Sequence, residues 1–405
     1  MRERIRIDNQ PLSETQFAKY FFETWDRLEA SAKAANHPDP SSVETKPVYF
    51  RFLTLMAFHC YISEGVNAAV IECGIGGEYD STNILVKPRI TAVTSLGIDH
   101  TAMLGETIES IAWHKAGIFK SGVPAFSAPQ SDSAVKVLEE RASEKQTTLQ
   151  VVSRDPDIEQ IQLGLAADFQ KTNASLAVAV AAAFIRSRDG STGNIPKDGL
   201  KSLPDSFRIG LEQAQLGGRC ETRRDTKSNL TWYIDGGHTL ESIEMAGRWF
   251  ASLIASPSTR GSLTRILIFN QQTRDANALA KKLHSTLSSA VTSSSTQPFS
   301  HVIFCTNTTY SQTGYRPDLT SINTNAADVQ ALSVQNALAD TWKEVDPSAK
   351  VEVVRTIEEA IGMARVISGS ASTSESPKAL VTGSLHLVGG LIEVLESEAE
   401  ATDPK

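Results

Sequence analysis

The sequence predicts an α/β fold in which helices cover mostly parallel sheets. Short apolar runs with the composition of buried strands recur along the chain, and helix-like segments separate them. Several of these runs end at glycines or polar residues, as strands do in open α/β sheets that bind ligands at their carboxyl ends. The length of 405 residues suits two domains, or three small ones.

Composition excludes several functional classes. The net charge of −8 argues against a nucleic-acid surface but allows a local basic pocket for an anionic substrate. No run of eighteen apolar residues is present, so we expect no membrane span. The N-terminal residues MRERIRIDNQ lack the apolar core of a secretory signal and are too short and acid-containing for an organelle presequence. Four widely spaced cysteines without a C-x-x-C pair indicate reduced thiols in a cytoplasmic protein.

The first elements are predicted from alternation and capping signals. Residues 4–7 alternate basic and apolar side chains, as a strand would. Ser13 is suited to cap an amphipathic helix that runs through Leu28. Residues 49–63 are apolar on nearly all sides, which predicts a buried helix against the sheet.

Two apolar runs, 68–71 and 90–94, are predicted to be buried parallel strands with polar residues at their ends. Glu72 follows the first run, and His100 lies just beyond the second. A carboxylate and an imidazole at one sheet edge would be able to share a divalent ion, although both would equally suit polar strand ends. The intervening glycines allow a tight turn, but no Gly-Lys-Ser/Thr follows them, so the cluster is not a P-loop.

The next predicted elements carry two further candidate residues. Residues 107–119 look helical with Lys115 near the end, where a solvated lysine would interact favourably with the helix dipole. Strands are predicted at 123–126 and 149–152, with a helix between them over 131–146. An alanine-rich helix begins near Ala174, and Asn173 would lie at its start as a possible cap.

The second half repeats the strand, turn and helix order. The apolar run 230–234 ends in Asp235-Gly236-Gly237-His238, and a helix is predicted over 240–254. Taken alone, this tetrapeptide is also compatible with a simple turn. Further strands are predicted from the apolar runs at 266–270, 301–305 and 379–386.

Two long segments resemble the folylpolyglutamate synthase family of Mur-ligase-like, ATP-dependent amide ligases. They read ECGIGGEYDSTNI and TSLGIDHTAMLGETIESIAWHKAGIFKSGVPAF, and the likeness runs from Arg2 to Gly390. The resemblance implies a central, mostly parallel, P-loop NTPase-like sheet domain over residues 1–218, shortened at its N-terminus. It implies a smaller, Rossmann-like α/β domain over residues 219–405.

The resemblance also assigns roles to single residues. Glu72 and His100 match Mg²⁺ ligands, and Lys115 matches a lysine that CO₂ carbamylates into a carboxylate-like ligand for a second Mg²⁺. Asn173 matches an asparagine near the adenine, and Arg219 in LGGRCET matches an arginine that contacts the ATP phosphates, although Gly217-Gly218 stands where the family usually has Pro-Gly.

The family motif Asp-x-Ala-His is similar to the turn after residue 234, with Gly237 in place of alanine. Asp235 and His238 therefore correspond to residues that contact nucleotide and support ligation. Asn270 and Arg274 resemble the family segment F-N-…-R-D, and Ser384 with His386 resembles its terminal GS-x-H motif. Without the resemblance, Arg274 would count as a solvated charge.

The activity implied is ligation of L-glutamate to folate through an acyl phosphate, with ATP and Mg²⁺, and with K⁺ as an additional monovalent cation. Folate and glutamate would be the partners of a monomeric cytoplasmic enzyme, with a mitochondrial form if an N-terminal extension exists.

One family feature is missing from the sequence. No G-x-x-x-x-G-K-[ST] occurs, and Met1 stands directly before RERIRI, which follows the P-loop and a folate-binding Ser-Pro-His-Leu loop in the family. The chain is then either an incomplete product or a shortened paralogue. Two alternative functions stay open, a non-catalytic binding protein and a ligase that adds an amino acid to another carboxylate.

Overall fold

The computed structural model of the chain describes residues 2–188, 203–254, 264–272, 274–290, 297–311, 326–370 and 376–402. The chain divides into two compact units. Unit 1 comprises Met1–Ser153 and Leu176–Ile195, and unit 2 comprises Arg154–Ser175 and Pro196–Lys405. The predicted domain boundary after residue 218 is not tested by this division into compact units and stays a prediction.

Unit 1 begins with a small hairpin and two helices. In chain order these are β1 (Arg6–Ile7), β2 (Gln10–Pro11), α1 (Glu14–Ala34) and α2 (Tyr49–Ser63). The predicted cap is confirmed, since Ser13 and Gln16 form a capping box at the start of α1. The helices pack through Tyr20, Phe52 and Met56, which belong to one buried cluster.

The sheet of unit 1 follows. Its elements are β3 (Thr91–Val93), α3 (Thr101–Leu104), α4 (Ile108–Lys115), β4 (Ala125–Ser127), α5 (Asp132–Glu144) and β5 (Leu149–Val151). The strands lie in the order β3-β4-β5 and are all parallel, which confirms the three predicted strands in this region. Helices α4 and α5 cover the sheet through Ala112 and Leu138, which are fully buried.

The predicted strand at 68–71 is wrong. These residues form no strand, and Val70 is 98% exposed. Among the described residues, the sheets of unit 1 consist of β1-β2 and β3-β4-β5, and none of these strands pairs with residues 68–71. A strand is stabilised by hydrogen bonds to a paired strand and by burial of its side chains, so apolar composition alone does not produce one.

Unit 2 holds the remaining elements, apart from the second part of α7, which belongs to unit 1 from Leu176 onward. They are α6 (Pro156–Glu159), α7 (Gln170–Arg188), α8 (Asp205–Gln213), β6 (Glu221–Arg224), β7 (Thr231–Ile234), α9 (Leu240–Ile254), β8 (Arg265–Phe269), α10 (Ala276–Ala290), β9 (His301–Phe304), α11 (Ala326–Ala331), α12 (Ser333–Val345), β10 (Lys350–Val353), α13 (Ile357–Gly369), β11 (Lys378–Thr382) and α14 (Leu385–Thr402).

Within the described part of unit 2, the strands form one sheet in the order β10-β9-β8-β11-β7-β6. All neighbours are parallel except β6, which runs antiparallel to β7 at the edge. Helices α9, α10 and α12 pack on one face around Phe250, Leu283 and Trp342. Helices α13 and α14 cover the other face through Ile361 and Leu391. This two-sided cover explains why the strand runs are almost continuously apolar.

The predicted strands at 230–234, 266–270 and 301–305 and the predicted helix at 240–254 are confirmed within one residue at each end. The strand expected over 379–386 ends at Thr382, and α14 starts at Leu385. All four cysteines, which lie among the described residues, are free thiols, as predicted.

Candidate functional site

Asp235 is the centre of the turn after β7. Its side chain is 5% exposed. Its Oδ2 accepts hydrogen bonds from the Cys220 backbone N–H at 3.0 Å and from the Cys220 thiol at 3.3 Å, while Oδ1 accepts the Gly237 N–H at 2.9 Å. Burial raises the pKa of Asp235, and the hydrogen bonds with Cys220 and the charge of Arg219 oppose that rise. The carboxyl group therefore fastens the turn to the segment that carries Arg219.

Arg219 is held by its backbone. Its N–H donates to the Leu216 carbonyl at 3.1 Å, and the next residue, Cys220, adopts a left-handed conformation with φ 47°. The Gly218 carbonyl accepts the Gly236 N–H at 2.8 Å, which ties this loop directly to the turn after β7. The half-buried Arg219 side chain thus starts from a fixed backbone position beside Asp235.

His238 is oriented by the same turn. Its Nδ1 lies 3.0 Å from the Gly236 carbonyl oxygen, and its backbone N–H donates to Ser242 Oγ at 2.9 Å. Because a carbonyl only accepts, this contact places the ring proton on Nδ1 and leaves Nε2 as the acceptor of the neutral ring. The half-buried ring is therefore held with a defined tautomer.

The glycine at position 237 has a steric explanation. A Cβ there would lie 2.9 Å from the Ser242 carbonyl oxygen and 3.2 Å from Asp235 Oδ1. Glycine therefore lets the turn close onto the start of α9, at the position where the family motif has alanine.

Amide side chains form a hydrogen-bonded cluster beyond the end of β8. Asn270 Nδ2 donates to Asn307 Oδ1 at 2.7 Å, and Gln335 Nε2 donates to Asn270 Oδ1 at 2.9 Å. Gln271 Nε2 donates to the carbonyl of Gly383, which has φ 108°. Asn270 was noted from the resemblance, but Asn307, Gln335 and Gln271 were missed, and no short motif links such distant amides.

In unit 1, the loop after Glu72 is organised by Asp80, which the sequence reasoning missed. Asp80 Oδ2 accepts the backbone N–H groups of Gly74 at 2.9 Å and Ile75 at 3.0 Å, and Oδ1 accepts the Thr82 N–H at 2.9 Å. The sequence signal is the aspartate at the end of GIGGEYD, because an Asp side chain in a turn readily accepts hydrogen bonds from nearby backbone N–H groups. Glu72 itself is exposed.

Lys115 is half-buried and lies near the helix end, as predicted, although α4 ends at Lys115 and not at Phe119. The glycine loop, residues 74–78, reaches the same helix end, since the Glu78 N–H donates to the His114 carbonyl at 2.8 Å. Burial raises the pKa of the Cys73 thiol, the residue after Glu72, and the charge of Lys115 opposes that rise.

His100 lies at the start of α3 with φ 53°. Its Nε2 is 3.7 Å from the Asp99 carboxylate, and its backbone N–H donates to Asp99 Oδ1 at 2.7 Å. A non-glycine residue in the left-handed region is uncommon, and such strain often accompanies functional sites. The predicted strand β3 is present, but His100 lies beyond it, after residues without regular structure.

The donor chemistry determines which metal these residues would suit. Within the described ranges, no group of three or more His, Cys, Asp or Glu side chains is arranged to hold a metal ion. Mg²⁺ needs no such cage, because it usually binds one or two carboxylates and shares the rest of its coordination with waters and substrate phosphates. The exposed Glu72 carboxylate fits that pattern; an unmodified Lys115 ammonium does not.

Asn173 is the fourth residue of α7. Its Nδ2 donates to Gln170 Oε1 at 2.8 Å, one turn earlier on the same helix. The helix begins before the predicted start at Ala174, so the Asn173 side chain does not occupy a capping position.

Among the helices that the structure describes, none is long and apolar enough to cross a membrane.

Comparisons with known proteins connect these elements to one family. Two curated relatives are named folylpolyglutamate synthase. The protein from Neurospora crassa is 45% identical over 397 residues, which are 98% of this chain and 73% of the relative. The protein from Saccharomyces cerevisiae is 45% identical over 406 residues, which are 98% of this chain and 70% of the relative. Residues 218–394 match the family described as dihydrofolate synthetase, C-terminal domain.

Solved structures support the fold. A folylpolyglutamate synthase from Mycobacterium tuberculosis, complexed with ADP and AMPPCP, gives a TM-score of 0.68 at 21% identity, over 97% of this chain and 82% of that one. The enzyme from Thermotoga maritima gives 0.64 at 23% identity, over 98% and 80%. These likenesses confirm the predicted fold class, with two α/β domains of the Mur-ligase-like type.

Proposed function

This chain belongs to the folylpolyglutamate synthase family, and we propose from that membership that it ligates L-glutamate to folate with hydrolysis of ATP to ADP and phosphate. The observation that carries the proposal is the 45% identity that spans 98% of the chain. Such continuity includes both the glycine loop of unit 1 and the Asp235 turn of unit 2.

The proposed reaction has two steps. The terminal carboxylate of folate attacks the γ-phosphorus of ATP, the bond to ADP breaks, and an acyl phosphate forms. The amine of L-glutamate then attacks the acyl carbon, phosphate leaves, and the amine loses a proton. Both steps gather negative charge on phosphate oxygens, so fixed cations accelerate them more than a protein nucleophile would.

The residues of unit 2 are proposed to act on that charge. Arg219 supplies a permanent cation for the ATP phosphates, and Asp235 holds the Arg219 loop through the Cys220 backbone N–H. His238 presents Nε2 as an acceptor, since Nδ1 is engaged by Gly236. Asn173 is proposed to contact the adenine side of the nucleotide.

The residues of unit 1 are proposed as the metal ligands. Glu72 and His100 would hold one Mg²⁺, and Lys115, once carbamylated, would hold a second. Carbamylation joins the neutral Lys115 amine to CO₂ with release of one proton, which converts a cation into a carboxylate-like donor. When bound, Mg²⁺ supplies Lewis-acid stabilisation of the phosphate oxygens. K⁺ is proposed as an additional monovalent cation, and a monomeric, cytoplasmic state completes the proposal.

The test uses the purified 405-residue chain with MgATP, a reduced folate, L-glutamate and bicarbonate. ADP release and glutamylated product are measured by mass spectrometry. We expect Lys115→Ala to reduce turnover by about 10²–10³-fold, the cost typical of losing one preorganised electrostatic group. Lys136→Ala, an exposed lysine on α5, serves as the matched control and should retain full turnover.

Two results would count against the proposal. A folded chain that makes neither ADP nor product would contradict ligase activity of these 405 residues, and would fit either an incomplete product or the non-catalytic alternative. This outcome matters because the chain contains no G-x-x-x-x-G-K-[ST] to cradle the phosphates. Equal turnover in the two lysine variants would instead refute only the role of Lys115.

A further inference from the structure

Glu78 closes the glycine loop, defined here as residues 74–78, and joins it to the end of α4. Its N–H donates to the His114 carbonyl at 2.8 Å, and its own carbonyl accepts Asn83 Nδ2 at 3.0 Å. The same Asn83 amide donates to the Gly117 carbonyl at 3.2 Å. One residue of the loop is thus linked to both sides of Lys115 in the sequence.

The fit between loop and helix end leaves no space for side chains. A Cβ on Gly77 would lie 2.8 Å from the carbonyl oxygens of His114 and Lys115, and a Cβ on Gly117 would lie 2.3 Å from Glu78 Cα. Backbone therefore touches backbone at this point. A small displacement of Glu78 would be transmitted directly to the Lys115 peptide.

The side chain of Glu78 is held by a buried arginine. Arg141 on α5, whose side chain is 8% exposed, places Nη2 2.5 Å from Glu78 Oε2 and Nη1 2.6 Å from Glu144 Oε2. Its guanidinium lies over the Trp113 ring at 4.4 Å from the ring centre. The arginine is thereby joined to the loop through Glu78 and to α4 through Trp113, two residues before Lys115.

A buried ion pair of this kind contributes little net stability, because removal of two charges from water offsets most of their attraction. The pair matters more for local geometry, because the planar guanidinium of Arg141 fixes the distance and angle to the carboxylates of Glu78 and Glu144. Two of the residues that contact Arg141 lie near a proposed metal ligand in the sequence. Glu78 closes the loop that follows Glu72, and Trp113 lies on α4 shortly before Lys115.

We propose that the Glu78–Arg141 pair, stacked on Trp113, is a positioning device that holds the loop after Glu72 against the Lys115 end of α4. The inference rests on the proposed function, since it takes both residues as metal ligands. Partners that orient metal ligands typically change metal affinity by about 10- to 100-fold when they are removed.

The test compares two double variants of the full chain. Glu78→Gln with Arg141→Met removes the pair without leaving an uncompensated buried charge. Asp225→Asn with Arg365→Met removes a matched pair of unit 2, in which Arg365 also contacts two carboxylates, at 2.9 Å and 2.8 Å. Mn²⁺ affinity is measured by electron paramagnetic resonance with ADP and bicarbonate, and amide hydrogen exchange is followed over residues 72–80.

We expect the first variant to raise the Mn²⁺ dissociation constant by about 10- to 100-fold and to accelerate exchange in the loop. The unit 2 variant should match the wild type in both measurements, and Arg141→Lys, which keeps the charge, should lie between. Wild-type Mn²⁺ affinity in the first variant, or an equal loss in both, would overturn the inference. Absence of Mn²⁺ binding in the wild type would refute the proposed metal site and the inference together, whereas ligase turnover is tested separately.

Discussion

The glycine turns of the two units follow similar apolar runs but have different surroundings. In unit 2 the run before Asp235 forms β7, paired on both sides by β6 and β11, with Ile234 fully buried. In unit 1 the run 68–71 before Glu72 is unpaired, and Val70 is 98% exposed. Strand neighbours, and not apolar composition, therefore decide whether a turn residue is delivered by a rigid element.

The largest effect expected from this comparison is at Ile234. Ile234→Ala should lower the free energy of unfolding of unit 2 by about 2–5 kcal/mol, because it leaves a cavity in a sheet covered on both faces. The measurement is the urea midpoint of the full chain, with Ile234→Val as control at about 0.5–1.5 kcal/mol. A loss no larger than that of the valine variant would show that β7 is not rigidly packed.

Asp235→Asn should cost about 1–3 kcal/mol, because its NH2 group replaces a carboxyl oxygen that accepts a backbone N–H and cannot itself accept one. The difference from wild type should also depend on pH. Burial raises the pKa of Asp235 in the folded chain, so its stabilising contribution is complete below the unfolded value of about 3.9 and declines as pH rises through the folded value. Asn does not titrate, so the gap between variant and wild type should narrow as pH rises above about 4.

The control for this prediction is Asp205→Asn, an exposed carboxylate at the start of α8. Thermal unfolding of the three proteins across the acid range gives the comparison. A gap that widens with pH would mean that Asp235 is stabilised as the anion, contrary to its burial.

Gly77→Ala should destabilise unit 1 by about 1–3 kcal/mol, since its methyl group would meet two carbonyl oxygens at 2.8 Å. Gly210→Ala provides the matched control, because this helical glycine on α8 has nothing within 4 Å of its Cβ position. Alanine there should stabilise by up to about 1 kcal/mol. Thermal denaturation measures both, and equal behaviour of the two variants would show that the loop does not press on α4.

The smallest effect is expected at Val70. Val70→Ala should change stability by less than about 0.5 kcal/mol, because the side chain is almost fully exposed. Urea titration alongside Ile234→Ala tests the comparison most directly. A loss above about 2 kcal/mol would show that residues 68–71 are buried in solution, as first predicted.

Local sequence patterns gave much of the framework. The N-cap at Ser13, the helix that carries Lys115 near its end and the strand before Asp235 were all predicted from neighbouring residues. The glycine contacts with α4, the hold of Asp235 on Cys220 and the amide cluster around Asn270 did not follow, because each joins segments that are far apart in the chain.

The sequence by itself determined the helices with clear capping signals, the order of the candidate residues and, through long motifs, the family. Tertiary structure alone decided which apolar runs became strands and which side chains hold the candidate residues in place. The physical reason is that propensity and capping act over a few residues, whereas strand pairing, burial and hydrogen bonding between turns depend on distant neighbours.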